Sequence, residues 1–197
     1  MGNSSNSDKK IQVLILGLEQ TGKSTLLKRI VDAARATREE FQIETTNGFN
    51  YVNRTLSNGN VFNIWDLGGD KVNKDFWPIF YRTLNVKLVI YVIELTEQET
   101  ILTSLQDLVI LMNEESLKEA NFYIIFNCIM PKTQDFKESD FKKKVELIIS
   151  RIKEYPIFRF NERLRYLIID IKKSTFSDSQ IDSILNFAIE ESNNKSS

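Results

Sequence analysis

The stretch IQVLILGLEQTGKSTLLKRI, residues 11–30, decides the fold. Its first eight residues are a continuous apolar run ending in glycine, the pattern of a parallel strand buried on both faces. From Lys23 to about Glu40 the period changes to helical, with Leu26, Leu27, Ile30 and Val31 on one side. Between strand and helix, Gly17-Leu18-Glu19-Gln20-Thr21-Gly22-Lys23-Ser24 fits G-x-x-x-x-G-K-[ST] without a mismatch. The glycines let the backbone curl so that successive N–H groups point at phosphate oxygens, and the start of the helix adds its positive end. In this motif Lys23 reaches the β- and γ-phosphates and the Ser24 hydroxyl is a ligand of Mg²⁺. Glu19, Gln20, Thr21, Gly22 and Thr25 complete the candidate nucleotide-binding loop.

Outward from this loop the chain alternates strands and helices. Residues 41–48 read as a polar, Thr-rich loop. The next run, GFNYVNRTLSNGNVFNIWD, alternates on both sides of Ser57-Asn58-Gly59-Asn60 and predicts a hairpin, because Asn-Gly suits the positive φ of a tight turn. Residues 86–94, 121–127 and Leu164–Ile171 are further apolar strands, and helical stretches fall near 97–118, 139–154 and 178–191. The expected class is α/β with a mostly parallel sheet. One domain is expected over 11–191, with polar tails at 1–10 and 192–197.

Composition narrows the chemistry. The 197 residues contain no histidine and one cysteine, Cys128. A Ser-His-Asp triad, a Cys-His pair, His-ligated metals and an internal disulfide are thereby excluded. The formal net charge of −1 gives no basic field for nucleic acid. No apolar run reaches the length of a membrane span, so an intracellular, cytoplasmic protein is expected. Gly2, followed by Asn3-Ser4-Ser5-Asn6, partly fits an N-myristoylation signal, although Asn6 stands where serine or threonine belongs. The alternative is a plain polar tail.

With these residues in view, the chain resembles the Arf branch of small GTPases from about Ile11 to Ile189. Gly17-Leu18-Glu19 is similar to that family's Gly-Leu-Asp. Thr45-Thr46-Asn47-Gly48-Phe49-Asn50 resembles its first switch, and Trp65-Asp66-Leu67-Gly68-Gly69 its second, with Trp77 at the tryptophan of the second switch. The resemblance implies a P-loop NTPase fold with a six-stranded, mostly parallel sheet flanked by helices. It implies GTP or GDP as bound nucleotide, with Mg²⁺ held by Ser24, Thr46 and, through water, Asp66. It implies that the Gly69 amide senses the γ-phosphate, that Asn127 and Cys128 lie at the base, and that Phe49, Trp65 and Phe80 form a patch for protein effectors.

Four departures temper that implication. Asp70 stands where the family carries the glutamine that orients the attacking water; an ionised aspartate only accepts hydrogen bonds and repels the γ-phosphate. Asn127-Cys128-Ile129-Met130 replaces Asn-Lys-x-Asp, which removes the carboxylate that reads guanine. The base-supporting loop after the last strand aligns loosely with Asp170-Ile171-Lys172-Lys173-Ser174. Asn3–Lys10 lacks the amphipathic helix of Arf proteins, so membrane association is expected to be weak or absent. The sequence therefore supports a switch protein with slow hydrolysis, or a structural pseudo-GTPase within a larger protein assembly that holds a fixed nucleotide or none. An ATP-using small kinase is disfavoured by the switch spacing.

Overall fold

In the computed structural model, the structure describes residues 10–36, 41–46, 48–95, 98–128, 138–154, 162–172 and 177–190. The strands are β1 (Ile11–Leu16), β2 (Phe41–Thr46), β3 (Phe49–Thr55), β4 (Val61–Leu67), β5 (Val86–Glu94), β6 (Asn121–Asn127) and β7 (Leu164–Ile169). The helices are α1 (Lys23–Ala36), α2 (Lys71–Lys74), α3 (Trp77–Thr83), α4 (Gln98–Met112), α5 (Glu138–Glu154) and α6 (Asp178–Asn186). Among the described residues one sheet runs in the order β2-β3-β4-β1-β5-β6-β7. From β4 to β7 all neighbours are parallel, and only β3 runs against the rest.

The expected α/β class and parallel core are found. The sheet carries one strand beyond the expected six: residues 41–46, read from sequence as loop, form the edge strand β2, paired antiparallel from Phe41↔Arg54 to Thr46↔Phe49. The Asn-Gly turn is found as well, with Gly59 at φ +84° and Asn58 Oδ1 accepting from the Asn60 N–H at 3.1 Å.

β1 lies at the centre, with Val13, Leu14, Ile15 and Leu16 fully buried. Alternation along it feeds two cores. Leu14 and Leu16 join Tyr91, Phe122 and Phe126 under α3, α4 and α5. Val13 and Ile15 join Leu26, Ile30, Ile184 and Leu185 under α1 and α6. This double cover is what a continuous apolar strand requires, and it presents the C-terminal ends of the parallel strands as the place for a site.

One charge lies inside the second layer. Arg54 of β3 is fully buried, and its guanidinium donates to Asp182 Oδ1 of α6 at 2.8 Å. The Asp182 side chain is one-third exposed, so the full penalty for breaking a buried pair does not apply. Asp182→Ala is expected to cost about 2 kcal/mol and to lower the melting temperature by roughly 5 °C. Arg54→Met, which removes the charge and keeps the volume, is expected to cost less. Thermal and urea unfolding of both variants measure the difference.

Candidate functional site

The loop after β1 is shaped by steric necessity at two positions. Gly17 sits at φ +143°, and a Cβ there would lie 2.4 Å from the Val92 carbonyl oxygen of β5. Gly22 sits at φ +104°, where a Cβ would lie 2.6 Å from Asn127 Nδ2. The close approach to β5 and β6 folds the loop back over the sheet edge. Inside the curl, the Leu18 carbonyl accepts from the Thr21 hydroxyl at 2.9 Å and from Lys23 Nζ at 2.6 Å. Lys23 is buried, and desolvation lowers its pKa despite the opposing fields of Asp66, Asp70 and Glu19. The loop thus holds a poorly solvated ammonium beside the free N–H groups of a fourteen-residue helix, an arrangement suited to an anion.

Asp66, at the end of β4, lies across from that helix start. Its Oδ2 accepts from Ser24 Oγ and from Asn50 Nδ2, each at 3.0 Å. Its Oδ1 is buried with no hydrogen-bond partner. Burial raises the Asp66 pKa, while the Asn50 and Ser24 hydrogen bonds and the Lys23 charge pull it down. A buried carboxylate oxygen without a partner is costly unless it serves a cation or its water. The Ser24 hydroxyl gives its proton to Asp66, which leaves oxygen lone pairs for the same cation. Among the described residues no group of three or more Cys, Asp or Glu side chains could hold a metal by itself. The donor set, one hydroxyl and one carboxylate, fits Mg²⁺ bound mainly through phosphate and water.

The segment after Asp66 closes on the phosphate loop. The Glu19 N–H donates to the Gly69 carbonyl at 3.2 Å. A Cβ on Gly69 would meet Gly17 O at 2.2 Å and Lys23 Nζ at 2.6 Å. Gly68 donates to the Gly48 carbonyl at 2.9 Å and accepts from the Trp77 indole at 2.9 Å. The Asn73 side chain is wedged against both glycines, 2.8 Å from a Cβ at Gly48 and 2.6 Å from one at Gly68. Farther along, Lys74 pairs with Asp107 of α4 at 2.6 Å, and the Tyr91 hydroxyl also donates to Asp107.

Asp70 is the N-cap of α2. Its Oδ1 accepts from the Val72 and Asn73 N–H groups at 3.1 Å, and its Oδ2 accepts from the Asn73 amide. These bonds, the Asn73 side chain first, hold its carboxyl below the usual carboxylate range. Asp70, Gly69, Gln20, Lys74, Glu94 and Thr100 help to line a cleft of about 730 Å³ beside the phosphate loop.

At the other end, Asn127 Nδ2 donates to the Thr21 carbonyl at 2.9 Å and its Oδ1 accepts from the Ile171 N–H at 3.2 Å. Asn127 therefore ties the phosphate loop to the end of β7. Cys128 is buried in the core under α4 and α5, so its thiol packs inward instead of forming a platform for a base. The Lys172 side chain is exposed. Ile129, Met130, Lys173, Ser174 and Gly2 lie outside the described residues, as does the side chain of Thr46; its backbone is paired with Phe49.

Phe49, Trp65 and Phe80 form one aromatic cluster, with ring centroids 5.3 to 5.7 Å apart. Tyr51 packs against Trp65 with its ring tilted by 51° and the centroids 4.5 Å apart. Val72, Phe76 and Ile79 of the neighbouring segment are more than half or about half exposed. Sequence reasoning missed Asn50, Asn73 and these three. Asn50 lies opposite Asp66 because the hairpin is centred on Asn58; equal steps outward from the Asn58-Gly59 pair would have set it opposite Leu67, one residue off.

A glycine-curled loop with a buried lysine, a strand-end carboxylate beside the loop serine, and a closing Gly-Gly segment define a P-loop protein of the small-GTPase fold. The chain belongs to the ADP-ribosylation factor family, whose model matches residues 1–164. It is similar to ADP-ribosylation factor-like protein 1 of Saccharomyces cerevisiae, 33% identical over 122 residues, which cover 61% of this chain and 62% of that protein. Its fold is similar to the Arl6 BBS3 small GTPase of Trypanosoma brucei, solved with the nucleotide analogue GppNp. That match has a TM-score of 0.62 and 17% identity over 91% of this chain and 97% of the other.

Proposed function

We propose that the chain is a GTP- and Mg²⁺-binding switch with very slow intrinsic hydrolysis, which engages protein partners through the Phe49–Trp65–Phe80 cluster. The observation that carries this reading is Asp66: one oxygen held by Ser24 and Asn50, the other buried and unpartnered, beside the buried Lys23. Lys23, the loop N–H groups and the helix start would bind the phosphates. Ser24 and Asp66, with Thr46, would hold Mg²⁺, which when bound neutralises charge on the β- and γ-phosphoryl oxygens. Phe49, Trp65 and Phe80 connect to the site through β3, β4 and the segment after Gly69, so nucleotide-dependent movement there would alter the surface offered to a partner. Attachment through Gly2 belongs to the same reading only as a weak, single-chain anchor.

Denaturing extraction of the purified protein, followed by chromatography, tests the reading. GTP or GDP in near-stoichiometric amount is expected; absence of any nucleotide, with no uptake in Mg²⁺ buffer, would sink it. Two observations favour the pseudo-GTPase alternative, in which the protein is a scaffold: Cys128 is turned into the core, and Asp70 is committed to a helix cap. Under either reading, base discrimination is expected to be poor. Losing the carboxylate that accepts from guanine removes about 1–3 kcal/mol, so GTP should outcompete ATP by roughly ten- to a hundredfold less than in a relative that keeps it. Competition of ATP against a labelled GTP analogue measures the ratio.

A further inference from the structure

We propose that Asn50 is a positioning residue for the metal: it fixes the Asp66 carboxylate so that Oδ1 alone is left for Mg²⁺-bound water. The inference rests on the nucleotide-binding reading above. Asn50 and Asp66 are directly opposed on the antiparallel pair β3–β4. At such a site side chains on one face are near neighbours, and their geometry is set by the strand register. Asn50 Nδ2 and Ser24 Oγ both donate to the same carboxylate oxygen, each at 3.0 Å. Two donors on Oδ2 hold the carboxylate rotation that leaves Oδ1 buried and without a partner. Ser24 alone is a poor clamp, because its hydroxyl rotates and the same oxygen must face the cation. The amide of Asn50 has no such second duty.

The strand that carries Asn50 is itself held at other points on the same register. Tyr51 Oη and Asn53 Nδ2 both donate to Asn63 Oδ1, at 2.9 and 2.8 Å. Arg54 is anchored on Asp182. Phe49, the residue before Asn50, sits in the aromatic cluster with Trp65 and Phe80. Asn50 is thus the point at which the register of β3 is read out at the metal-side carboxylate.

The test uses the full chain loaded with a fluorescent GDP, with dissociation followed across a titration of free Mg²⁺ and in excess EDTA. Asn50→Leu keeps the approximate volume and removes the donor. It is expected to raise the Mg²⁺ concentration for half-maximal retention by about ten- to a hundredfold, the range for losing a partner of a metal-side ligand. Dissociation in EDTA should stay within about twofold of wild type, since the phosphate loop is untouched. Asn50→Ala should show the same split, and replaces Asn50→Leu should that variant fail to fold. Thr55→Val, at the far end of the same strand and outside the contacts that hold Asn50, is the control for strand stability and should leave the Mg²⁺ requirement unchanged. An unchanged Mg²⁺ requirement in the Asn50 variants, with wild type binding normally, would overturn the positioning role alone. Equal acceleration with and without Mg²⁺ would also overturn it, showing a merely structural contact. Failure of the wild type to retain nucleotide at any Mg²⁺ concentration would overturn the functional reading and this inference together.

Discussion

Lys23→Ala is expected to abolish nucleotide retention while leaving the empty protein as stable as before, or more so. The ammonium is buried against the Leu18 carbonyl, in reach of phosphate bound in the loop. Removing one partner of a desolvated charge pair costs about 2–5 kcal/mol in binding, a loss of roughly thirty- to several-thousandfold in affinity. The stability side follows from the direction of the pKa. Burial lowers the Lys23 pKa below its unfolded value, so the folded state binds that proton less tightly. Folding therefore carries a penalty wherever the lysine is charged in both states, below the folded pKa. The penalty is relieved as pH rises from the folded toward the unfolded value. Alanine removes it. Calorimetry with GDP and thermal unfolding of the nucleotide-free variant, at neutral pH and again near pH 10, separate the two effects. Unchanged affinity would refute the phosphate-loop assignment.

The second large effect concerns turnover. Single-turnover hydrolysis of bound GTP by the wild type is expected to be about 10³–10⁵-fold slower than the stimulated rates reached when a water-orienting group and a cationic finger are both in place. Asp70 follows Gly69 and borders the cleft beside the loop, but its carboxylate oxygens are taken by Val72 and Asn73. To hold a water it would have to give up the cap of α2, and as an acceptor-only group it would still face the γ-phosphate with like charge. Asp70→Gln is therefore expected to leave the slow rate within about threefold, because glutamine is a poor cap and loosens the segment it was meant to improve. Asp70→Asn keeps a capping oxygen, removes the charge, and should give the faster of the two variants. Brisk unaided turnover by the wild type that disappears in Asp70→Gln would show that the carboxylate acts on water.

The phosphate loop was legible because its chemistry is written in contiguous residues whose spacing leaves one backbone path. The hairpin turn was legible for the same reason, since Asn58-Gly59 marks it, though the register runs symmetric about Asn58 and not about the Asn58-Gly59 bond. β2 was not. FQIETT is a short edge strand with polar and apolar residues mixed, and its pairing is dictated by β3 more than by its own pattern. α2 has four residues, too few to show a period, and exists because Asp70 caps it. That capping was hidden by the likeness of Gly69-Asp70 to a catalytic Gly-Gln pair, which drew attention to what Asp70 fails to do at phosphate. The inward turn of Cys128 depends on which face β6 offers as it ends, and composition says nothing of that. The pairing of Arg54 with Asp182 joins residues 128 apart, beyond the reach of any local pattern.

Asn73 has a mechanical consequence. Its amide fills the space over Gly48 and Gly68, two glycines already joined by a hydrogen bond, and also binds Asp70. The segment entering β3 and the segment leaving β4 are therefore keyed together by one side chain, as two leaves of a hinge are by its pin. Under the proposed switch reading, a phosphate reaching Gly69 and a protein docking on Phe49 would therefore push on the same lever. A bulkier residue at either glycine would withdraw the pin and let each leaf swing alone.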